Sequence, residues 1–443
     1  MHKLRSSLEN LRSSLWFIPT LLVSGAVVLA AVLVEVDSYI ISEQLTERWP
    51  RLFGAGAEGS RGLLSAIAGS MITVAGVTFS ITVVALALAS GQYTSRILRN
   101  FMRDRANQAV LGVFVGVYAY CLVVLRTIRG GDEGAFVTSV AVLVALLLAL
   151  LAIGFLIFFI HHIAASIQAT SIIEAAALET LNAVDRLFPA GGGGAAEPAP
   201  DAQKVVLTAL TWMPIPAGKT GYVRSIDADA LFDLARRQGT VVRMETGIGE
   251  FVIEGSPLAS VAGDPPDEES IRELNAAFAV GRDRTVQQDA AYNIRQIVDV
   301  ALKALSPGIN DSTTAVNCID HLGAILARLA ARPLETPDRS DGGQLRLITR
   351  GPTFVGLIAE ALDQIRQNAE GNVAILTRLL QIVGMVATRT ADVHRRQALR
   401  HHADLVAETA ERSVPAAHDR AAIRAARGQV IPLPDDIHRG NMS

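Results

Sequence analysis

The chain has 443 residues, of which 50% are hydrophobic and 19% charged, and its net charge is −3 with a mean hydropathy of +0.34. A soluble protein carries about 25% charged residues, so this composition points to a membrane protein with a soluble portion, and the near-neutral balance removes any general case for nucleic-acid binding. Two cysteines, Cys121 in an apolar stretch and Cys318 in a soluble one, exclude a disulfide framework.

Four stretches are apolar enough to span a bilayer: about 15–36, 63–90, 109–125 and 136–160. Each approaches or exceeds the roughly 20 residues a crossing helix needs. The first follows Lys3, Arg5 and Arg12. Its apolar run is longer than the 7–15 residues of a signal-peptide core, so it reads as a retained anchor. Loop charges set the orientation. The segment between spans two and three carries Arg96, Arg99, Arg103 and Arg105 against Asp104, and the start of the chain is also basic. Basic loops stay in the cytoplasm, so a bacterial inner-membrane protein with both termini cytoplasmic is expected.

The second span is crowded with small and hydroxylated residues. Ala66, Gly69, Thr73, Gly76, Ser80 and Ala87 fall on one stripe; Met71, Ala75, Thr78, Thr82, Ala85 and Ala89 fall on another. Small residues let helix backbones approach closely, and hydroxyls can line a water-filled path. The third span adds a GxxxG pair, Gly112 and Gly116. Gly69, Thr73, Gly76, Thr78, Ser80, Thr82, Gly112 and Gly116 are therefore candidates for pore lining or helix packing. Spans two to four hold no acid or base, which disfavours coupled transport. The fourth span runs on through His161 and His162 and is expected to continue as one helix to Pro189.

The soluble half opens with a Gly, Ala and Pro-rich linker, 191–204. A small β-rich domain is expected over 205–264, with strands in GYVRSI, TVVRME, EFVIE and PLASV. A short helix capped by Asp227 and ended by Gly239 separates the first two. Residues 249–261 resemble the barrel-sandwich module of biotinyl and lipoyl domains and efflux adaptor proteins, but no lysine stands near a suitable turn, so swinging-arm chemistry is not expected. A cytoplasmic helical domain follows over 265–427, and a tail over 428–443. Its helices are expected at 268–280, 287–305, from an Asp311 or Ser312 cap to about 331, 353–368, 373–413 and 418–427, with a polar loop at 332–343.

The segment GRDRTVQQDAAYNIRQIVDVALKALSPGINDSTTAVNCIDHL, residues 281–322, is similar to the hallmark segment of the bacterial membrane-protein family catalogued as domain of unknown function 2254. TVAGVTFSITVVALALASGQYTSRILRNF, residues 73–101, resembles that family's second-span signature. Ser312 stands where the family pattern has proline. The resemblance implies a bacterial membrane location and brings no activity, cofactor or catalytic residue with it.

The hallmark segment concentrates Arg282, Asp283, Arg284, Asp289, Arg295, Asn310 and Asp311. Such a set could bind a phosphate or position a water, or serve as helix caps and salt bridges. No nucleophile elbow, zinc-protease motif, phosphate-binding loop or CxxC pair is present. His394, His401 and His402 lie among arginines, a poor setting for a metal. Neither an enzyme nor a bound cofactor or metal is expected. Two readings remain for a mainly α membrane protein with a cytoplasmic α+β region. One is a homo-oligomeric passive ion or small-solute channel, similar in architecture to mechanosensitive channels of small conductance. The other is an anchored sensor or scaffold with a cytoplasmic protein partner.

Overall fold

The computed structural model describes residues 16–39, 56–92, 104–128, 138–166, 168–189, 211–285, 288–334 and 338–430. It divides into two compact units, Met1–Ser171 and Ile172–Ser443. The division precedes the expected 191–204 linker, which lies outside the described residues.

Among the described residues the first unit holds four helices, α1 (Phe17–Tyr39), α2 (Ala57–Gln92), α3 (Arg105–Thr127) and α4 (Ser139–Ser166). All four are long and apolar enough to cross a membrane. With 36 residues, α2 is about 54 Å long at 1.5 Å per residue, well beyond a hydrocarbon core of about 30 Å.

Helix α3 is the centre of this unit, packing on each of the other three. On one side its glycines admit α1. A Cβ built on Gly112 would stand 2.7 Å from Leu22 Cδ1 and 2.9 Å from the Pro19 Cα, and one on Gly116 would stand 3.4 Å from Ala26 Cβ. On another side α3 meets α2 through seven-residue repeats. Leu64, Met71, Thr78 and Ala85 are buried on α2, with Ala68 and Ala75 between them. Asn107, Phe114, Cys121 and Ile128 are buried on the α3 side, with Val110, Val117 and Val124 between. Such repeats make the seam of a left-handed helix pair.

Polar residues latch both ends. Asp37, at the end of α1, accepts hydrogen bonds from Val140 N (3.2 Å) and Ala141 N (3.0 Å), capping the first turn of α4. Nearby, Tyr120 Oη donates to Ala141 O (2.9 Å) and Arg61 Nη2 to Ile128 O (2.8 Å). At the opposite pole Asp104 caps α3 through Ala106 N and meets His162 Nε2 on α4 at 2.5 Å. His162 is thus a packing residue joined to the start of α3.

The helix expected to run from span four to Pro189 is two helices. Ser166 Oγ turns back to His162 O (2.8 Å), Gln168 N bonds Ala165 O (3.3 Å), and α5 (Ala169–Leu187) starts afresh. A serine and tightened bonds of this kind end a helix locally.

The second unit ties the end of α5 to its helices through Arg332, which donates to Phe188 O and Asp185 Oδ1, both at 2.8 Å. Its strands are β1 (Trp212–Pro216), β2 (Gly221–Ile226), β3 (Val242–Met244), β4 (Phe251–Val252), β5 (Pro257–Ala262), β6 (Phe278–Gly281), β7 (Arg339–Asp341) and β8 (Gln344–Ile348). They form a five-stranded sheet, β1-β5-β3-β8-β7, and a three-stranded one, β4-β2-β6. Helices α6 (Ala228–Gln238) and α7 (Glu268–Ala277) pack on them, burying Leu231, Leu234 and Leu274 with Val223, Val261 and Leu347.

This corrects three expectations. The β-region is not confined to 205–264, because β6, β7 and β8 join it from the stretch expected to be helices and loop. The helix expected over 268–280 stops at Ala277, where Phe278 turns into extended backbone and pairs with Ile226. The stretch likened to biotinyl domains is divided, since β4 pairs with β2 while β5 pairs with β1 and β3.

Among the described residues six further helices follow: α8 (Ala290–Ala304), α9 (Ser312–Ala330), α10 (Phe354–Gln367), α11 (Val373–Ala387), α12 (Val393–Ser413) and α13 (Ala417–Gln429). The expected 373–413 helix is divided at Thr388–Asp392. There Thr388 Oγ1 caps Met385 O (2.7 Å) and Asp392 restarts the chain by accepting from Arg395 N (2.9 Å). Gly323 lets α11 close on α9, because a Cβ there would meet Ile382 Cδ1 at 2.6 Å.

A contrast between glycines follows. Ala gains roughly 1 kcal/mol over Gly in a helix interior, and a Cβ at Gly154, on α4, has nothing within 4 Å. Gly154→Ala therefore leaves the thermal midpoint in detergent unchanged or raises it. Gly112→Ala lowers it, because the Pro19 backbone cannot retreat without opening the α1–α3 contact; crowding of this kind costs about 1–3 kcal/mol.

Candidate functional site

The candidate residues of the membrane unit sort onto opposite faces. Gly112 and Gly116 are consumed by the α1 contact. On α2, Thr78 is buried and Thr82 half-buried in the seam with α3, together with Met71, Ala75 and Ala85. Gly69, Thr73, Gly76 and Ser80 lie on the other side and are exposed, as are Ala66 and Ala87. A Cβ added to Gly69 or Gly76 meets nothing within 4 Å.

Hydrogen bonding refines what this open face can do. Thr73 Oγ1 donates to Gly69 O and Ser70 Oγ to Ala66 O, each at 2.8 Å. The protons are used inside the helix, so the oxygen lone pairs are what face outward. Larger apolar side chains flank the stripe and are exposed: Ile72, Phe79 and Val83 on one side, Val77, Ile81 and Leu88 on the other. The outer face of α2 is a shallow groove with a small-residue floor.

The hallmark polar segment is resolved into caps and ion pairs. Arg284 holds Asp289 with two hydrogen bonds, Nε to Oδ2 at 2.7 Å and Nη2 to Oδ1 at 2.9 Å. Asp289 is 4% exposed and caps α8 through Tyr292 N (2.9 Å). The β-hairpin turn closes over this pair. Gly249 has φ +83°, and a Cβ there would collide with the Asp289 carboxylate and the Arg284 guanidinium. The side chain of Gln288 accepts from Ile226 N (3.2 Å), so the start of α8 is sewn to strand β2.

Arg295 pairs one turn along with Asp299 (2.8 Å) and reaches Glu360 on α10 at 3.5 Å. Asn310 adopts φ +48° to close the turn after α8, and Asp311 caps α9 through Thr314 N (3.0 Å) and Thr314 Oγ1 (2.5 Å). Those bonds hold the Asp311 carboxyl below the usual carboxylate range. Arg282 and Asp283 are exposed on the turn after β6. The structure therefore brings Arg284 and Asp289 together and places Arg295, Asn310 and Asp311 elsewhere along α8 and the following turn. Their oxygens and guanidiniums are spent on helix starts and neighbouring helices.

Other polar groups went unread in the sequence. Asp37, Asp104 and His162 join helices far apart in the chain, and only the position of Asp104 just ahead of an apolar run hints at its cap. In the second unit His402 is buried between α10 and α12, with Nδ1 3.3 Å from Asp363 Oδ1 and the His401 ring edge-on at 5.9 Å. Arg366, on the same helix as Asp363, donates to Thr409 Oγ1 (3.1 Å). Cys318 is fully buried, and burial pushes its thiol up to about 12, which makes it a poor nucleophile. Among the described residues no group of three His, Cys, Asp or Glu is arranged to hold a metal ion.

Two outcomes follow from these polar contacts. Arg284→Ala leaves a carboxylate buried beneath Gly249 without its cation, a loss of about 3–5 kcal/mol in such settings. Chemical denaturation of the purified chain should show it, with a smaller additional loss when Asp289→Asn is combined. Burial depresses His402 below the ordinary histidine range; Asp363 opposes this, and His401 and Arg366 add to it. The unfolded chain then binds that proton more readily. His402 contributes stability that is complete above about pH 6.5 and is lost as pH falls through the depressed folded value. A thermal midpoint that falls on acidification, and falls less in His402→Gln, is the expected profile.

A family model described as predicted membrane protein (DUF2254) matches residues 12–385. An uncharacterised protein of Mycobacterium bovis and one of Mycobacterium tuberculosis are each 33% identical over 446 residues, covering 98% of this chain and 83% of the relative. No solved structure matches the chain.

Proposed function

We propose that this chain, which belongs to the predicted membrane protein family DUF2254, is a homo-oligomeric channel for passive movement of an ion or small solute. It would sit in a bacterial cytoplasmic membrane with both termini inside, as the arginine-rich segment after α2 suggests. The observation that carries this reading is the groove on α2. Ala66, Gly69, Thr73, Gly76, Ser80 and Ala87 are exposed on the side away from α3. A lipid-facing surface gains nothing from small residues and backbone-bonded hydroxyls. A second helix does, because it can approach closely along the floor of such a groove. Copies of α2 gathered around an axis would also turn the Thr73 and Ser80 oxygens toward a shared space, where acceptor oxygens suit a partly hydrated ion. The absence of acids and bases along residues 62–92 favours passive flow over coupled transport.

An anchored sensor or scaffold is the second reading. It is favoured by Phe251 and Ile253, apolar side chains 55% and 63% exposed at the β4 edge of the small sheet, where a cytoplasmic protein partner could dock. Oligomeric mass in detergent and flux in liposomes separate the two. The channel reading expects an oligomer and measurable flux, with Gly76→Leu and Thr73→Leu reducing both at least about tenfold, a loss of roughly 1.4 kcal/mol. A monomer without flux, whose second unit still recovers a partner, would leave the scaffold reading standing.

A further inference from the structure

The seam between α2 and α3 is apolar along most of its length and changes character near the Asp104 pole. Arg61 on α2 bonds the Ile128 carbonyl just past the end of α3 (2.8 Å), which fixes the two helices as antiparallel neighbours. Both rise about 1.5 Å per residue, so equal steps inward from that bond reach the same level of the bundle. Two seven-residue steps bring Ala75 level with Phe114, a small residue facing a large one. A third brings Thr82 level with Asn107.

Asn107 is buried, at 7% exposure, and neither its amide oxygen nor its amide nitrogen has a hydrogen-bond partner among the described residues. An amide buried in this way is left with the desolvation cost of its unmet groups. Around it the chemistry is polar. Thr82 Oγ1 donates to Thr78 O (2.8 Å) and keeps its lone pairs. Asp104, one turn before Asn107 on α3, is part-exposed at the pole beside His162. Beyond Thr78 the seam closes on Ala75, Phe114 and Met71, all buried.

We infer that water enters the bundle at the Asp104 pole and occupies a polar inlet formed by Asn107 of α3 and Thr78 and Thr82 of α2. The ligand class follows from the groups. An amide offers one acceptor and two donors, a threonine oxygen with its proton already committed offers an acceptor, and water alone among small solutes both donates and accepts at such a site. A bare cation would meet the amide N–H groups as well as the oxygens. The inlet ends blind at Phe114 and belongs to each subunit, so it is distinct from the outer face of α2 and does not depend on the protein conducting.

Thiol reactivity in the full chain in nanodiscs tests this, since a thiolate forms only where water reaches. Cys121 lies on the same stripe of α3 as Asn107 and is fully buried, which makes it the internal dry reference. Asn107→Cys and Thr82→Cys should react with a charged, membrane-impermeant methanethiosulfonate at least about tenfold faster than Cys121, and Ala75→Cys no faster than Cys121. Equal, slow reaction at Asn107→Cys and Thr82→Cys would overturn the inlet. Hydrogen exchange on the unsubstituted protein guards against misfolded variants. The α2 backbone around residues 78–85 should exchange faster than that around 64–75, and uniform protection along the seam would also reject the proposal.

Discussion

How near two helix backbones can come is the quantity on which the membrane unit depends. Lipid tails remove the hydrophobic drive that brings helices together in water, so contact energy must come from dispersion between closely packed atoms. Gly112 and Gly116 supply that closeness between α3 and α1. With α3 seated there, its Phe114 and Cys121 stripe is free to meet the alanines of α2. Asp37 and the Asp104–His162 pair then hold α4 at both ends. The Phe114 stripe and Asp104 are held by α3, which the glycines seat against α1, while Asp37 reaches α4 from α1 itself.

The same order explains which features could be read from residues alone. Apolar length revealed all four membrane helices, and local side-chain chemistry revealed the caps at Asp227 and Gly239 and narrowed a third to Asp311 or Ser312, because a cap needs only its own next turn. The two stripes of α2 were visible as spacing. Which one packs was not, because that depends on the seven-residue repeat of a different helix. Strand β6 escaped for a related reason. Phe278 to Gly281 continues the apolar pattern of α7, and only pairing with β2 draws it into extended form. Strand β7 lies in a polar stretch and pairs with β8, whose Leu345 and Leu347 alternate with polar residues and which reaches β3 from a distance. Tertiary pairing overrode local preference at β6 and β7.

The polar hallmark segment illustrates how a cluster in sequence can dissolve in space. Asp289 and Asp311 each stand at a helix start, where free backbone N–H groups attract a carboxylate. Arg284 neutralises the one that burial would otherwise penalise, and Gly249 is needed because no side chain fits over that pair. The candidate site that remains lies instead on the outer stripe of α2 from Ala66 to Ala87, where small and hydroxylated residues stand and no charge is present. It was legible as composition, and its exposure became clear only once α3 had claimed the opposite face.

The pairing of β3 with β8 carries a consequence for how the second unit is made. Val242 lies beside Leu347 in a parallel register, and β3 is flanked by β5 on its other side. Everything between residues 262 and 344, including α8 and α9, is synthesised after β5 and before β8 can arrive. Until then β3 has an open edge of backbone donors and acceptors, the kind of edge that invites pairing with other chains. Closing it requires a long-range contact, which is entropically slow compared with forming the helices in between. The nascent chain therefore passes through a stage in which α8 and α9 can be formed while the sheet is incomplete. A ribosome pausing before residue 344 would prolong that stage.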